Sequence, residues 1–320
     1  MSWTSLAVNN LTSVAVLLFA FGFIASRLKS DVRIPDAVYQ VISVYLLLGI
    51  GLKGGHALHG TELATFIAPA LMTILLGLII PFLAFYVLAF IKQLNRVDRG
   101  AIAAHYGSTS LVTFTAALIF LENNKIVVEG FATALLTLLE IPGLIVGIFL
   151  GTRAFSQGVK WGKTLVEVFL GKTVLLLIGG LVIGFITTQA GYERVRPFFI
   201  DLQSGILSLF LLHLGYMAGN NWAELKKIGS KLILFGIAFP IFSGALGAIG
   251  GKLVGLSIGG SAILAVLCAS ASYIAAPAAV SVAMPNANLS LALTSSIGIT
   301  FPFNLVIGIP LYIEIAKLLN

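Results

Sequence analysis

Apolar residues run along this chain in blocks of about 20 that do not alternate with period two, separated by short polar connections. A hydrocarbon core of roughly 30 Å is crossed by about 20 helical residues, so such blocks predict membrane helices. Ten windows qualify, at about 8–26, 34–52, 63–91, 101–121, 130–151, 171–190, 199–219, 229–250, 261–284 and 290–318. Runs of this length have the wrong period for lipid-facing strands, which excludes a β-barrel. The third run is the longest, and Pro69 and Pro81 within it predict a start and a kink, because neighbouring helices can satisfy the backbone groups a proline frees. The fourth, AIAAHYGSTSLVTFTAALIFLE, is interrupted by small and hydroxyl residues at Gly107, Ser108, Thr109 and Ser110, and is expected to be a broken helix.

The chain then repeats itself. GLIIPFLAF around Pro81 matches GIAFPIFSG around Pro240, LLEIPGLIVGIFLG around Pro142 matches GITFPFNLVIGIPL around Pro302, and Ser108, Thr109 and Ser110 match Ser270, Ala271 and Ser272, with offsets near half the chain length. Matched prolines and matched hydroxyl clusters are harder to obtain by chance than matched apolar composition. An odd number of crossings per copy inverts the second copy, so the expected fold is an all-α integral membrane protein. Its ten transmembrane helices form two inverted five-helix repeats, 1–160 and 161–320, whose two broken helices cross near the midplane.

Composition agrees with a membrane location and narrows the function. Of 320 residues 58% are hydrophobic and 10% charged, far from a soluble domain. The single cysteine, Cys268, excludes a disulfide framework within the chain and reads as a small packing residue. The +7 net charge comes from basic residues placed singly between apolar runs, which does not make a nucleic-acid stripe. Thirteen of the nineteen lie on alternate connections at Arg27–Arg33, Lys92–Arg99, Arg153–Lys172 and Lys226–Lys231. Lys53, Lys125, Arg194, Arg196, Lys252 and Lys317 lie on the others. The positive-inside rule therefore places both termini outside the cell's inner (plasma) membrane and the 152–170 connection inside. The N-terminus lacks the basic region and cleavage site of a signal peptide, so the first run is expected to remain as a span. No nucleotide-binding loop, nucleophile elbow or HExxH motif occurs, so neither an ATP-driven pump nor an intramembrane hydrolase is expected.

A helix broken inside a bilayer survives only where protein, water or a ligand satisfies its backbone. A half-helix that starts after the break points free N–H groups and a positive dipole end at the gap, which suits a small anion, and hydroxyls add donors. The expected anion-binding set is Gly107, Ser108, Thr109, Ser110 and Thr113, with Ser270, Ala271, Ser272 and Tyr273. The competing reading is that small residues merely let helices approach. Glu140, two residues before Pro142 in the fifth window, is an intramembrane carboxylate whose charge costs roughly 3 kcal/mol or more unless paired or cation-bound. Thr300 and Asn304, its counterparts in the tenth window, complete the expected sodium-binding set with neutral oxygens; no other metal or cofactor is expected. Glu122 and Glu129 flank a connection and read as solvated. His105 and His213 lie within spans, where hydrogen-bonded packing competes with a proton-relay role.

Across nearly the whole chain the order of motifs resembles the sodium-dependent bicarbonate transporter family known from cyanobacteria. The matching stretches are IPDAVYQVISVYLLLGIGLKGG, GSTSLVTFTAALIFLENNKI, LLEIPGLI and ASASYIAAPAAVSVAMPNANLSLALTSSIGI, of which MPNANLSLALTSSIGI is the most specific. The resemblance implies a gate bundle of helices 1, 2, 6 and 7, a moving core of helices 3–5 and 8–10, a homotrimer, and sodium-coupled uptake of bicarbonate by an elevator mechanism. The chain departs from the pattern in carrying Tyr273 where the family has Asp, and Ala276, Pro277 and Ala278 without the family's Gly-Pro-Pro and following Arg. Its central connection is also too short for the PII-like regulator. Rival expectations are a symporter of another small anion; a cation/proton antiporter, which needs a carboxylate at the crossing; and a sensing scaffold, which needs a soluble signalling segment.

Topology is testable by itself. Cysteines introduced at Ser2 and Gln157, after replacement of Cys268, are expected to differ in labelling by an impermeant reagent on intact cells, with only the first labelled. Equal labelling would overturn the orientation and the odd repeat together.

Overall fold

The computed structural model describes residues 3–60, 62–153, 161–220 and 229–320, and every regular element among them is helical. Ser2, Gln157, Lys160, Lys226 and Lys227 lie outside the described residues. Among the described residues seven helices are long and apolar enough to cross a bilayer, and an eighth crossing is added when Trp161–Leu170 and Lys172–Ile186, bent by 46°, count as one span. Two further windows correspond to shorter apolar helices, Val14–Arg27 and Ile258–Ala269.

Local chemistry explains where the expected boundaries shift. The window at 8–26 divides into Trp3–Leu11 and Val14–Arg27 because the Ser13 hydroxyl accepts from the Val16 amide and starts a new helix. Its end is closed by Lys29, one of two non-glycine residues in the left-handed region, at φ 59°. The central connection, expected to be a loop, contains the helix Trp161–Leu170. The window at 199–219 is preceded by Gln189–Arg196, whose Thr188 cap accepts from the Gly191 amide.

Prolines dictate the irregular turns and their repair. Each removes the N–H that would bond the carbonyl four residues earlier. Pro240, inside Ser230–Leu253, frees the Gly236 carbonyl, and the Thr300 hydroxyl donates to it at 2.7 Å. Pro310 frees the Val306 carbonyl, and the buried Asn10 side chain donates to Val306 at 2.9 Å and to Leu305 at 2.7 Å. From Leu289 to Leu319 the chain stays helical but widens into π turns at Ser296–Thr300 and Asn304–Gly308, on either side of Pro302.

Glycines set how closely the helices lie. Val14–Arg27 runs along Gln203–Asn220, and Asp36–Ala57 runs along Lys172–Ile186. A methyl group on Gly55 would lie 2.0 Å from the Leu181 carbonyl oxygen, and one on Gly184 would lie 2.3 Å from that of Leu52. In the rest of the molecule Leu63–Val87 and Arg96–Gly107 pack on Ala132–Thr152, while Ser230–Leu253 packs on Ile258–Ala269 and both meet Ile309–Leu319. Lys53 on Asp36–Ala57 pairs with Glu122 on Leu111–Asn123 at one end of the bundle. At the other end the Asn288 amide donates to Asp98, whose own side chain is held by Asn95.

The tightest contact predicts a stability change. Gly143 abuts the end of Arg96–Gly107 so closely that a methyl group would lie 1.8 Å from the Gly107 carbonyl oxygen, a backbone atom that cannot swing away. Gly143→Ala is expected to destabilise the protein by about 3 kcal/mol. Gly179→Ala, where nothing lies within 4 Å, is expected to be neutral or to gain up to about 1 kcal/mol. Thermal unfolding of both variants in detergent checks this; equal midpoints would overturn the close approach.

Candidate functional site

The two broken helices meet at their breaks. The first consists of Arg96–Gly107 and Leu111–Asn123, with Ser108, Thr109 and Ser110 extended between them. The second consists of Ile258–Ala269 and Ala275–Ala283, separated by residues 270–274. The Ser272 amide donates to the His105 carbonyl at 2.7 Å, the Ser110 amide donates to Ser270 Oγ at 2.9 Å, and Ser110 Oγ donates to the Tyr273 hydroxyl at 3.1 Å. Backbone groups released by each break are thus taken up partly by the other break, as a dry interior requires.

The hydroxyls at the breaks divide into two kinds. Ser110 Oγ caps its half-helix, accepting from the Thr113 amide at 3.2 Å and the Thr113 hydroxyl at 2.9 Å. Ser270 Oγ donates to the Leu267 carbonyl at 2.9 Å, and Ser272 Oγ accepts from the Ala276 amide at 3.2 Å. Ser108 and Thr109, by contrast, are buried with hydroxyls that have no hydrogen-bond partner among the described residues. So are Thr137 Oγ1 and both carboxylate oxygens of Glu140, which is 1% exposed.

Glu140 and the breaks share one small cavity. Thr109, Ser110, Leu111, Glu140, Thr173, Ser272, Tyr273, Ile274 and Ala275 line a space of about 10 Å³. The carboxylate therefore stands at the crossing itself, the position the sequence did not give it. A second cavity of about 230 Å³ shares Thr173, Ile274 and Ala275 with the first and continues past Leu144, Val168 and Ala278 to Glu167 and Lys172. The crossing is thus adjoined by a passage on the side of the Trp161–Leu170 connection.

Other expected site residues fall elsewhere. Thr300 accepts or donates toward Tyr106 at 2.6 Å and repairs the Gly236 carbonyl; Asn304 donates to the Ala269 carbonyl at 2.8 Å and accepts from Tyr312 at 2.8 Å. Both sit on the wide turns, both are fully buried, and neither lines the cavity with Glu140. Gly107 packs on Pro81, Ala271 is buried, and Thr113 and Ser270 are engaged in the hydrogen bonds above without lining the cavity. Glu122 is exposed and ion-paired, but Glu129 is half-buried, accepting from the Ser257 amide at 2.6 Å and the Ser257 hydroxyl at 3.1 Å at the start of Ile258–Ala269. His105 donates to the Ala101 carbonyl through Nδ1 at 2.8 Å, its Nε2 being without a partner among the described residues. His213 is buried against the Tyr39 ring, with centroids 4.6 Å apart. Sequence reasoning missed Thr173, whose signal was a hydroxyl beside a lysine at the start of an otherwise apolar helix.

What the donor set can do follows from its chemistry. Oxygen ligands, one of them an anionic carboxylate, suit a hard cation, and unpaired hydroxyls beside half-helix ends suit a small oxyanion. Helices of this length and apolarity define a multi-pass membrane protein. The chain belongs to the Na+-dependent bicarbonate transporter superfamily, whose family model matches residues 14–317. Membership makes it a transporter rather than an enzyme. Among curated proteins no relative matches the chain.

Ligand hydroxyls and structural hydroxyls are separable by mutation. Ser108→Ala and Thr109→Val remove no hydrogen bond from the protein and are expected to change unfolding stability by less than about 0.5 kcal/mol. Ser110→Ala removes a helix cap and a crossing contact and is expected to cost about 1–2 kcal/mol. Uptake into proteoliposomes is expected to fall for all three and to be spared by Ser281→Ala, an exposed site beyond the break. Normal uptake by Ser108→Ala and Thr109→Val together would show that the clusters serve packing alone.

Proposed function

We propose that the protein is a sodium-coupled symporter that takes up bicarbonate across the inner (plasma) membrane by elevator-type alternating access. The observation that carries this reading is the shared cavity in which an unpaired carboxylate, Glu140, stands beside an unpartnered hydroxyl, Thr109, at the meeting of two broken helices. Glu140, with Thr137, binds sodium; Thr109, Ser108 and the free amides that open Leu111–Asn123 bind the anion. Family membership supports sodium and bicarbonate as the two ions.

The ten-crossing inverted repeat accounts for the pairing of packing contacts. Gly77 packs against Leu139 as Gly236 packs against Ile299, and the next residues, Glu140 and Thr300, are counterparts in the two copies. Val14–Arg27, Asp36–Ala57, Lys172–Ile186 and Gln203–Asn220 form the gate, and the remaining helices form the core that carries both breaks. The core slides as a rigid body, because irregular backbone tolerates no lipid exposure and must travel enclosed. The homotrimer implied by the family resemblance would anchor the gate.

A second reading has a specific observation in its favour. A cation/proton exchanger needs a carboxylate at the crossing, and Glu140 lines the crossing cavity. The two readings part on one experiment: in proteoliposomes symport gives sodium uptake that requires bicarbonate, whereas exchange gives sodium movement driven by a pH gradient without it.

Sodium linkage tests the role of Glu140. A ligand bound only to the native state stabilises it by RT ln(1 + [Na⁺]/Kd), about 2.7 kcal/mol at a hundred times Kd. Wild-type protein is expected to unfold at higher temperature in sodium than in choline. Glu140→Gln is expected to lose that difference and to unfold no earlier than wild type in choline, having lost an uncompensated charge. A full sodium shift in the variant would remove Glu140 from the cation site.

A further inference from the structure

A groove unrelated to the crossing lies between the end of Leu63–Val87, with the turn Leu88–Phe90 that follows, and the first half of Ser230–Leu253. Its volume is about 570 Å³. Phe235 and Phe239, stacked with centroids 4.9 Å apart, form its buried floor, while Phe90, 80% exposed, and Leu234, 66% exposed, form its rims. In a membrane protein rims of this kind face hydrocarbon, so a groove between them takes a chain of methylenes.

One end is charged. Lys231 is the sole charged side chain lining the groove, and Lys92 follows the lining residue Ile91 directly in sequence. Both lysines are exposed, and neither has an acidic partner among the described residues. Both belong to connections carrying the basic excess, the face where a cationic end between helices complements an anionic headgroup. We propose that this groove is a binding site for an anionic phospholipid, with one acyl chain along Phe235 and Phe239 and the phosphate between Lys231 and Lys92. A zwitterionic lipid fills the apolar part equally well but carries an ammonium to the same lysines, so the site discriminates by headgroup charge.

Native mass spectrometry of the purified full chain, offered phosphatidylglycerol and phosphatidylcholine with identical acyl chains, reads this directly. Wild-type protein is expected to retain phosphatidylglycerol in preference. Lys231→Gln, at an exposed position where folding is not at risk, is expected to lower that preference about fivefold while lipid is still held. Ala238→Trp, at an exposed position in the groove wall, is expected to fill the groove and abolish retention of both lipids. Equal retention of the two lipids by wild type, or an unchanged preference in Lys231→Gln, would overturn the site. So would a lipid-free oligomer that Ala238→Trp dissociates, which would make the groove an interface between copies.

Discussion

Inside a bilayer no water is at hand to satisfy a backbone amide or carbonyl, and the structure is arranged around that constraint. Several departures from straight helix are met by a named donor or acceptor: Asn10 at the carbonyls before Pro310, Thr300 at the carbonyl freed by Pro240, Asn304 at the end of Ile258–Ala269, and Ser110 and Ser272 at the crossing. An amide or carbonyl left unmet in hydrocarbon would cost several kcal/mol, more than most single side-chain contacts supply. Many of the buried polar residues are committed in this way. Among those left uncommitted, Thr137, Glu140, Ser108 and Thr109 belong to the first break and the helix beside it.

Close helix approach follows from the same scarcity. With lipid as apolar as leucine, helices associate through van der Waals contact and need small residues at their seams. Glycines meet carbonyls along the seam of Asp36–Ala57 with Lys172–Ile186, and at Gly143 against Gly107. The second of these does more than pack: by admitting the Ala132–Thr152 helix to the end of Arg96–Gly107, it brings Glu140 to the gap after Gly107. A side chain at Gly143 would push that helix, and its carboxylate, out of the cavity.

Much of this was legible in the sequence because it is written in local signals. Hydrophobic block length gave the helical windows, and the small and hydroxyl run at Gly107–Ser110 gave the break. Thr300 and Asn304 were placed with Glu140 by analogy of position, but a proline's freed carbonyl takes the nearest hydroxyl first, and which one is nearest depends on how helices cross. Glu129 read as solvated because it flanks a connection, yet the start of Ile258–Ala269 lies against it and supplies an amide and a hydroxyl. Thr173 enters the cavity only because the Lys172–Ile186 helix passes the second break. Those three depend on contacts between segments distant in sequence, for which no periodicity exists.

The placement of Glu140 beside the anion donors gives coupling a physical cause on the symport reading. Two negative charges held at roughly 5 Å repel by about 3 kcal/mol at an effective dielectric of about 20, so an anion entering the closed cavity alone meets a carboxylate that opposes it. Sodium between them changes the sign of both interactions and leaves the pair of ions and the carboxylate at a net charge of −1, the charge the cavity carries with neither ion bound. The loaded and unloaded sites then face the same electrostatic cost of crossing the apolar zone between gate and core, while the anion-only state carries an extra charge and the sodium-only state, though neutral, leaves the half-helix ends without an anion. On that reading, leakage of the anion by itself is disfavoured by the composition of the site.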